Sequence, residues 1–385
     1  MEKKWVIRKS ADESKVRELS SELGIDPVLA ELLVQRGVNT FEEARAFFRP
    51  SLERLHDPFL MKDMDKAVDR LNMAMGAKEK ILVYGDYDVD GTTAVSLVYK
   101  YLRNYYSHIE YYIPTRDEEG YGISIKSIDY AASIGVKLII VLDCGIKAID
   151  EIHYAKEKGI DFIICDHHVP DDVLPEAYAI LNPKMEGNTY PYPHLCGCGV
   201  GFKFMQAFAK SNGLTNQNEL YSLLDLVAVS IAADIVPMTG ENRIMTYHGL
   251  KRLNSNPNLG LKSIIKICNL ANREITISDV IFKIGPRINA SGRMQSGMEA
   301  VDLLTTKDLN EAYAKGKSID QYNRDRKELD KRITEEANAI LENRGEIDSD
   351  HKSFVIYNKN WHKGIIRQLR LLAICLRTSE ATPMP

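Results

Sequence analysis

The sequence predicts an α/β fold: a parallel sheet with helices on both faces, a helical N-terminal extension and a long C-terminal connecting helix. Three observations predict it. Short apolar runs recur through the middle of the chain: Ile81–Tyr84, Ile109–Ile113, Leu138–Leu142, Phe162–Cys165 and Tyr178–Leu181. Helix-like stretches such as Ala94–Tyr105 and Ala148–Lys158 separate most of them, which is the alternation of a parallel sheet. A highly charged stretch from about Asn310 to Asn343 has one glycine, Gly316, and no proline, so it reads as one long solvated helix or two stacked ones.

In chain order, residues 1–75 read as the helical extension. Leu19, Leu23, Leu29, Leu32 and Leu33 recur at helical spacing around a Gly24/Pro27 break. Residues 76–305 carry the alternating pattern and form the main domain. Residues 306–345 form the connecting helix. Residues 346–385 open with Phe354–Tyr357, which reads as the first strand of a further domain. About 28 residues follow that run, too few to complete a core.

The composition bounds the function. The 385 residues are 44% hydrophobic and 27% charged with a net charge of −4, which excludes a disordered chain, a collagen-like chain and a coiled-coil rod. The balance argues against gripping nucleic acid through bulk charge, but not against metals and a local basic groove. No apolar stretch reaches the roughly 18 residues of a membrane span. Met1–Trp5 has no apolar segment behind its charges, so no signal peptide is expected. The 6 cysteines do not form a disulfide framework, and a cytoplasmic setting is expected.

Chemistry gathers where the apolar runs end. The first run closes in Gly85-Asp86-Tyr87-Asp88-Val89-Asp90-Gly91, the third in Asp143-Cys144-Gly145, the fourth in Asp166-His167-His168 and the fifth in Asn182-Pro183-Lys184. An apolar helix over Leu223–Ala233 delivers Asp234. Ligands of open parallel sheets bind at the carboxyl ends of strands. Carboxylates converging there repel one another unless cations hold them. Carboxylates with imidazole suit Mn²⁺ or Mg²⁺, and an aspartate bridging two ions gives the two-metal arrangement of phosphoester hydrolysis. A lone aspartate after a strand is ordinarily a cap or a turn residue; it is the set that points to function. Adjacent histidines point different ways, so one suits a metal and the other a substrate phosphate or a proton.

Competing motifs fit less well. Asp86-x-Asp88-x-Asp90-Gly91 matches the start of an EF-hand loop, but position twelve is Leu97 and a strand precedes the motif. Asp88-Val89-Asp90-Gly91-Thr92 also looks like the nucleophile motif of haloacid-dehalogenase-like phosphatases. That alternative leaves Asp166–His168 without a role. The run Leu138–Asp143 could be a Walker B strand, but no P-loop accompanies it. The pair Cys196/Cys198 has no partner pair, so no zinc site is expected.

Two segments look built for phosphates. Gly197–Gly201, including Gly199 and Gly201, precedes a helical stretch; its N–H groups either bind an anion or serve a tight turn and close packing. Gly285–Arg293 presents Arg287, Asn289, Ser291 and Arg293 on a Gly-flanked loop, which suits bidentate phosphate contact. Tyr99, Tyr101, Tyr105, Tyr106, Tyr111 and Tyr112 could stack bases, although such tyrosines more often border a core.

Taken together, Asp86–Gly91, the Asp143 strand end, Asp166–His168 and Ala233–Pro237 resemble the four signature motifs of DHH phosphoesterases. Glu119–Gly122, Gly199–Lys203 and Gly285–Arg293 are similar to stretches of the RecJ group, over roughly residues 15–366. The resemblance implies a two-metal, Mn²⁺- or Mg²⁺-dependent 5′→3′ exonuclease acting on single-stranded DNA in repair and recombination. Its partners would include a single-strand-binding protein and a helicase. It implies metal ligands at Asp88, Asp90, Asp143, His167 and Asp234, with Asp143 bridging and Asp86 supporting the first metal. It places Asp166 behind the histidines, His168 on the scissile phosphate, and Arg287 and Asn289 on substrate. Small-substrate members of the superfamily, such as oligoribonuclease/pAp phosphatases and inorganic pyrophosphatases, keep the same metals and remain an alternative. A non-catalytic replication scaffold would show degenerate ligands, and none appear. RecJ proteins continue through an associated domain and an OB-fold, whereas the likeness here ends after Ile366. The expectation is a chain truncated inside the associated domain, with processive digestion compromised.

Overall fold

A computed structural model describes residues 5–6, 9–343, 356, 358–362 and 364. Apart from residue 356, the expected strand over 354–357 lies outside the described residues, as does most of 346–385. The chain divides into two compact units, the first running to Leu55 and the second beginning at His56.

The first unit holds α1 (Glu13–Leu23), α2 (Pro27–Val34) and α3 (Phe41–Phe48). Asp12, Asp26 and Thr40 cap these helices with their side chains, satisfying N–H groups that a helix start leaves orphaned. Leu19, Ala30, Leu33, Val38 and Ala44 form its own small core. The extension was expected to reach residue 75. The unit ends earlier because α4 (Met64–Gly76) buries Met64, Ala67, Val68, Leu71 and Ala74 within the second unit and packs on its sheet.

The second unit is built on five parallel strands: β1 (Lys80–Gly85), β2 (Ile109–Tyr112), β3 (Val136–Leu142), β4 (Asp161–Cys165) and β5 (Ala179–Leu181). Their spatial order is β2-β1-β3-β4-β5, every pair parallel. The central strand β3 reads Val-Lys-Leu-Ile-Ile-Val-Leu because helices cover both its faces. Edge strand β2 is only half-buried and carries Glu110. Helices α4, α5 (Val89–Leu102) and α8 (Gly197–Ser211) lie against one face; α6 (Ile125–Ser133) and α7 (Ile149–Glu157) lie against the other. Leu82, Tyr84, Ile139, Val141, Phe162 and Ile164 meet Ile128, Ala131, Ile152 and Ala155 on the α6/α7 side. Each such large apolar side chain contributes about 1.5–3 kcal/mol when buried.

The remaining helices extend the α8 side. They are α9 (Gln217–Tyr221), α10 (Leu224–Asp234), α11 (Gly240–Ser255), α12 (Leu259–Ile267), α13 (Ile277–Asp279), a π-helical turn Val280–Ile284, α14 (Gly285–Met294), α15 (Gly297–Thr305) and α16 (Leu309–Asn343). The charged stretch is a single helix, about 52 Å long at 1.5 Å per residue. It is less solvated than its charge predicts. Gly316, Ile319, Asp320 and Asn323 are buried where it packs on α12 and α14. A β-carbon at Gly316 would stand 2.5 Å from the Ser263 hydroxyl, so the glycine permits that approach. Among the described residues no helix is long and apolar enough to cross a membrane.

One buried ion pair ties the start of this unit to α8 and α11. Lys203 is fully buried, and its Nζ donates to Glu241 Oε1 at 3.1 Å and to the His56 carbonyl at 2.6 Å. Glu241 also accepts from the His56 amide at 2.9 Å and from the Tyr190 hydroxyl at 2.5 Å. Removing one partner strands the other charge in a low-dielectric interior. Lys203→Met is therefore expected to destabilise the second unit by about 3–5 kcal/mol, read as a lowered urea midpoint. An unchanged midpoint would show that Glu241 is satisfied without the lysine.

Candidate metal centre

In a sheet ordered 2-1-3-4-5 the crevice opens where the connections change direction, between β1 and β3, at the carboxyl ends of the strands. Asp86 and Asp88 follow β1, and Asp143 follows β3, at that point. Asp166, His167 and His168 follow β4, and Asp234 ends α10.

The aspartate-rich motif is a helix start, not a loop. Asp88 Oδ1 accepts from the Asp90 and Gly91 amides at 2.9 and 3.1 Å and caps α5, which begins five residues earlier than its apolar pattern indicated. A β-carbon at Gly91 would stand 2.3 Å from the Asp86 carbonyl; only glycine lets the helix begin under that turn. Asp143 adopts φ +62° and Ile235, next to Asp234, φ +58°. Such backbone costs about 1–3 kcal/mol for residues other than glycine and clusters at functional sites.

The glycine-rich segment binds an anion, and the anion is Asp90. Segment Gly197–Gly201 is the first turn of α8 rather than a loop before it. The Gly197 amide donates to Asp90 Oδ2 at 2.6 Å and the Cys198 amide to Oδ1 at 2.7 Å, placing the carboxylate on the positive end of the helix. Gly199 and Gly201 are buried; Gly201 faces Leu142 and Val98. They serve packing, which corrects their reading as phosphate contacts. Gly197 leaves room for Asp143, whose Cβ would be 2.5 Å from an added methyl.

The carboxylates repel as expected. Burial, then Asp90 and Asp88, pushes Asp143 well above the carboxylate range. Burial and Asp88 push Asp86 up to about 7. Burial, Asp90 and Asp88 push Asp234 up to about 7. Asp88 is raised by burial and by Asp90.

The two histidines are shifted in opposite directions. His167 is buried, its Nε2 lying 3.1 Å from Asp143, 3.6 Å from Asp90 and 3.7 Å from Asp234. Burial lowers its pKa, and neither ring nitrogen has a hydrogen-bond partner. His168 is raised by its Nδ1 contact to Asp166 Oδ1 at 2.7 Å. Burial would raise Asp166, but the His168 contact and backbone N–H groups, among them that of Ile146, bring it below the usual range. Asp166 therefore orients the His168 ring and the turn, not the His167 ring.

Two groups of donor atoms lie within 4.8 Å of one another: Asp143/His167/His168 and Asp90/His167/Asp234. A buried imidazole without a hydrogen-bond partner, set among buried carboxylates, fits a divalent cation. His167, rather than Asp143, is common to both groups. Asp86 and Asp88 enter neither group: Asp88 Oδ1 caps α5, and Asp86 Oδ1 is buried without a hydrogen-bond partner.

The second expected phosphate segment is helix α14, not a loop. Arg287 is engaged, its Nε donating to Asp320 at 2.8 Å and an η-nitrogen to the Lys283 carbonyl at 2.8 Å; it ties α14 to α16. Ser291 is buried and bonds back to Ile288. Asn289 is half-buried on the same helix. Arg293 donates to the Gly364 carbonyl at 3.5 Å, and its charge is felt by Asp88, Arg116 and Arg326. Sequence reasoning missed Arg116, which stacks 5.2 Å over Tyr87. It also missed Ser230, whose hydroxyl donates to Asp90 Oδ1 at 2.6 Å. Tyr121, inside a stretch noted for resemblance, sets its hydroxyl 3.4 Å from the Asp143 carbonyl. Of the six tyrosines that could stack bases, Tyr111 bonds Asp302, Tyr112 bonds Glu119 and Tyr106 bonds the Glu79 carbonyl.

Comparison with known proteins agrees with this geometry. Residues 80–231 match the DHH family, N-terminal domain. The chain is 39% identical over 94% of its length to the single-stranded-DNA-specific exonuclease RecJ of Bacillus subtilis, covering 45% of that protein. It is 33% identical to the Escherichia coli RecJ over 93% of its length, covering 63% of that protein. It thus spans about half to three-fifths of the curated relatives it matches. A crystal structure of exonuclease RecJ bound to manganese superposes with a TM-score of 0.74 at 27% identity, covering 84% of this chain and 80% of that one.

The raised acids set a pH test. Unfolded, Asp86 and Asp234 ionise near 3.8; folded and metal-free, near 7. Between those values the unfolded chain binds fewer protons, so metal-free stability falls as pH rises through this window. A cation competes with the same protons. The rise in Tm on adding Mn²⁺ is therefore expected to grow from about pH 5 to about pH 8 in a thermal-shift series. An increment independent of pH would contradict the assignment.

Proposed function

The chain belongs to the RecJ-type members of the DHH family, and from that premise we propose that it hydrolyses phosphodiester bonds of single-stranded DNA from the 5′ end, dependent on Mn²⁺ or Mg²⁺. The observation that carries this reading is His167: a buried imidazole without hydrogen-bond partners, among Asp90, Asp143 and Asp234. These four residues would hold the ions, with Asp86 and Asp88 adding negative charge around them. Bound divalent ions supply a water nucleophile at neutral pH and offset charge developing on the phosphate.

The chain's own residues do the rest. Asp166 fixes His168 by its Nδ1, which leaves Nε2 free to point out, 3.5 Å from the Tyr121 hydroxyl. The Asp166 contact raises the pKa of His168, which favours the protonated ring and a donor Nε2 facing a non-bridging phosphate oxygen. Arg116 and Arg293 add positive charge on the Tyr87 side. The broader assignment follows the resemblance: a helical extension, a DHH domain, the connecting helix and the start of an associated domain, acting in the cytoplasm beside a single-strand-binding protein and a helicase. A covalent mechanism at Asp88 would leave the Asp166–His168 pair, which the structure sets beside the carboxylates, without a role.

The test uses 5′-labelled single-stranded and duplex DNA with Mn²⁺. Release of mononucleotides from single strands is expected, with loss in Asp143→Ala. Asp166→Asn is expected to lower kcat by roughly 10–100-fold. Equal activity of wild type and Asp143→Ala would refute the site.

A further inference from the structure

Asp90 is the most heavily restrained carboxylate of the centre, and the restraint is asymmetric. Its Oδ1 accepts two hydrogen bonds, from the Cys198 amide at 2.7 Å and from the Ser230 hydroxyl at 2.6 Å. Its Oδ2 accepts one, from the Gly197 amide at 2.6 Å, and faces His167 Nε2 at 3.6 Å. A carboxylate oxygen offers two lone pairs. Oδ1 is therefore saturated inside the protein, and Oδ2 alone keeps a lone pair facing the cluster.

Ser230 is itself held. Its Oγ lies 2.9 Å from Cys196 Sγ, and that sulfur accepts the Gly199 amide at 3.3 Å as the cap of α8. Ser230 and Cys196 are both fully buried. A serine hydroxyl has one proton, and a carboxylate oxygen that already takes an amide hydrogen bond serves as an acceptor. The proton of Ser230 thus goes to Asp90, and the thiol of Cys196 donates to Ser230. The result is a directed chain: Gly199 amide to Cys196 sulfur, Cys196 thiol to Ser230 oxygen, Ser230 hydroxyl to Asp90 Oδ1. Ser230 sits on α10, one turn before Asp234, so the same helix holds two members of the proposed ligand group.

We infer that Ser230, seconded by Cys196, is a positioning residue for the metal centre: it occupies the second lone pair of Asp90 Oδ1 so that Asp90 offers Oδ2 alone to a divalent ion. Without it, Oδ1 keeps only the Cys198 amide, and its freed lone pair competes with Oδ2 for the ion. This rests on the metal-site reading above. Oriented ligands bind metal roughly 10–100-fold more tightly than unsupported ones.

The measurement is a Mn²⁺ titration of the full chain followed by the electron paramagnetic resonance of free Mn²⁺, with circular dichroism reporting folding. Ser230→Ala removes one oxygen and introduces the best helix former, so α10 is preserved. It is expected to bind Mn²⁺ roughly 10–100-fold more weakly than wild type. Cys196→Ser keeps a cap acceptor and a hydroxyl for Ser230, and is expected to match wild type. Cys196→Val breaks the chain one link earlier and is expected to weaken binding less than Ser230→Ala. Wild-type affinity in folded Ser230→Ala, even with a lowered Tm, overturns the inference and leaves the metal site standing. If Ser230→Ala does not fold, wild-type affinity in Cys196→Val overturns it. A wild-type chain that binds no Mn²⁺ overturns the metal-site reading itself.

Discussion

Mutual repulsion among buried carboxylates at the β1/β3 switch point is the constraint on which the rest of this structure depends. Asp86, Asp90 and Asp143 are each at most 3% exposed, and Asp88 and Asp234 lie beside them. Like charges so close and so dry cannot all ionise without compensation. The compensation comes in parts. The start of α8 neutralises Asp90 through two amides, backbone N–H groups and His168 hold Asp166, and the cap of α5 holds Asp88. Asp86, Asp143 and Asp234 retain raised pKa values, and that residual is what cations would relieve.

The fold serves this arrangement through close backbone approach. Gly91 lets α5 start beneath the β1 turn, and Gly197 lets α8 start against Asp143. The left-handed backbone of Asp143 turns its carboxylate back toward the crevice at the end of β3. Strain of this kind persists only where surrounding packing over-determines it. The fully buried strands β3 and β4 and the helices on both faces provide that packing. The adjacent histidines show the same economy: one backbone turn presents a ring of lowered pKa inward and a ring of raised pKa outward, separated by which one meets Asp166.

Much of this was legible in the sequence, and the limits have physical causes. Strands appear as apolar runs because parallel strands are buried on both faces, and all five were readable within two residues. The ends of those runs announced Asp143, Asp166–His168 and the Asp86–Asp90 motif. Helix starts were less legible. The α5 and α8 pattern begins with aspartates and glycines, which propensity assigns to loops, yet in both cases a side chain or a carboxylate from elsewhere satisfies the first amides. Arg287 looked like a phosphate ligand because Asp320, its partner, is 33 residues away in sequence. Ser230 could not be found from sequence: a serine inside an apolar helix carries no signal until Asp90 is placed against it. The extension ended early because α4, polar enough to pass for part of it, turns one apolar stripe onto the sheet.

The central claim is that the buried acids and His167 form a divalent-cation site. Anomalous diffraction from crystals of this chain soaked in Mn²⁺ tests it most directly. The account predicts anomalous density among Asp90 Oδ2, His167 Nε2 and Asp234, with a second peak on the Asp143 side of His167. Crystals that diffract well and show no anomalous density at the β1/β3 crevice would contradict it.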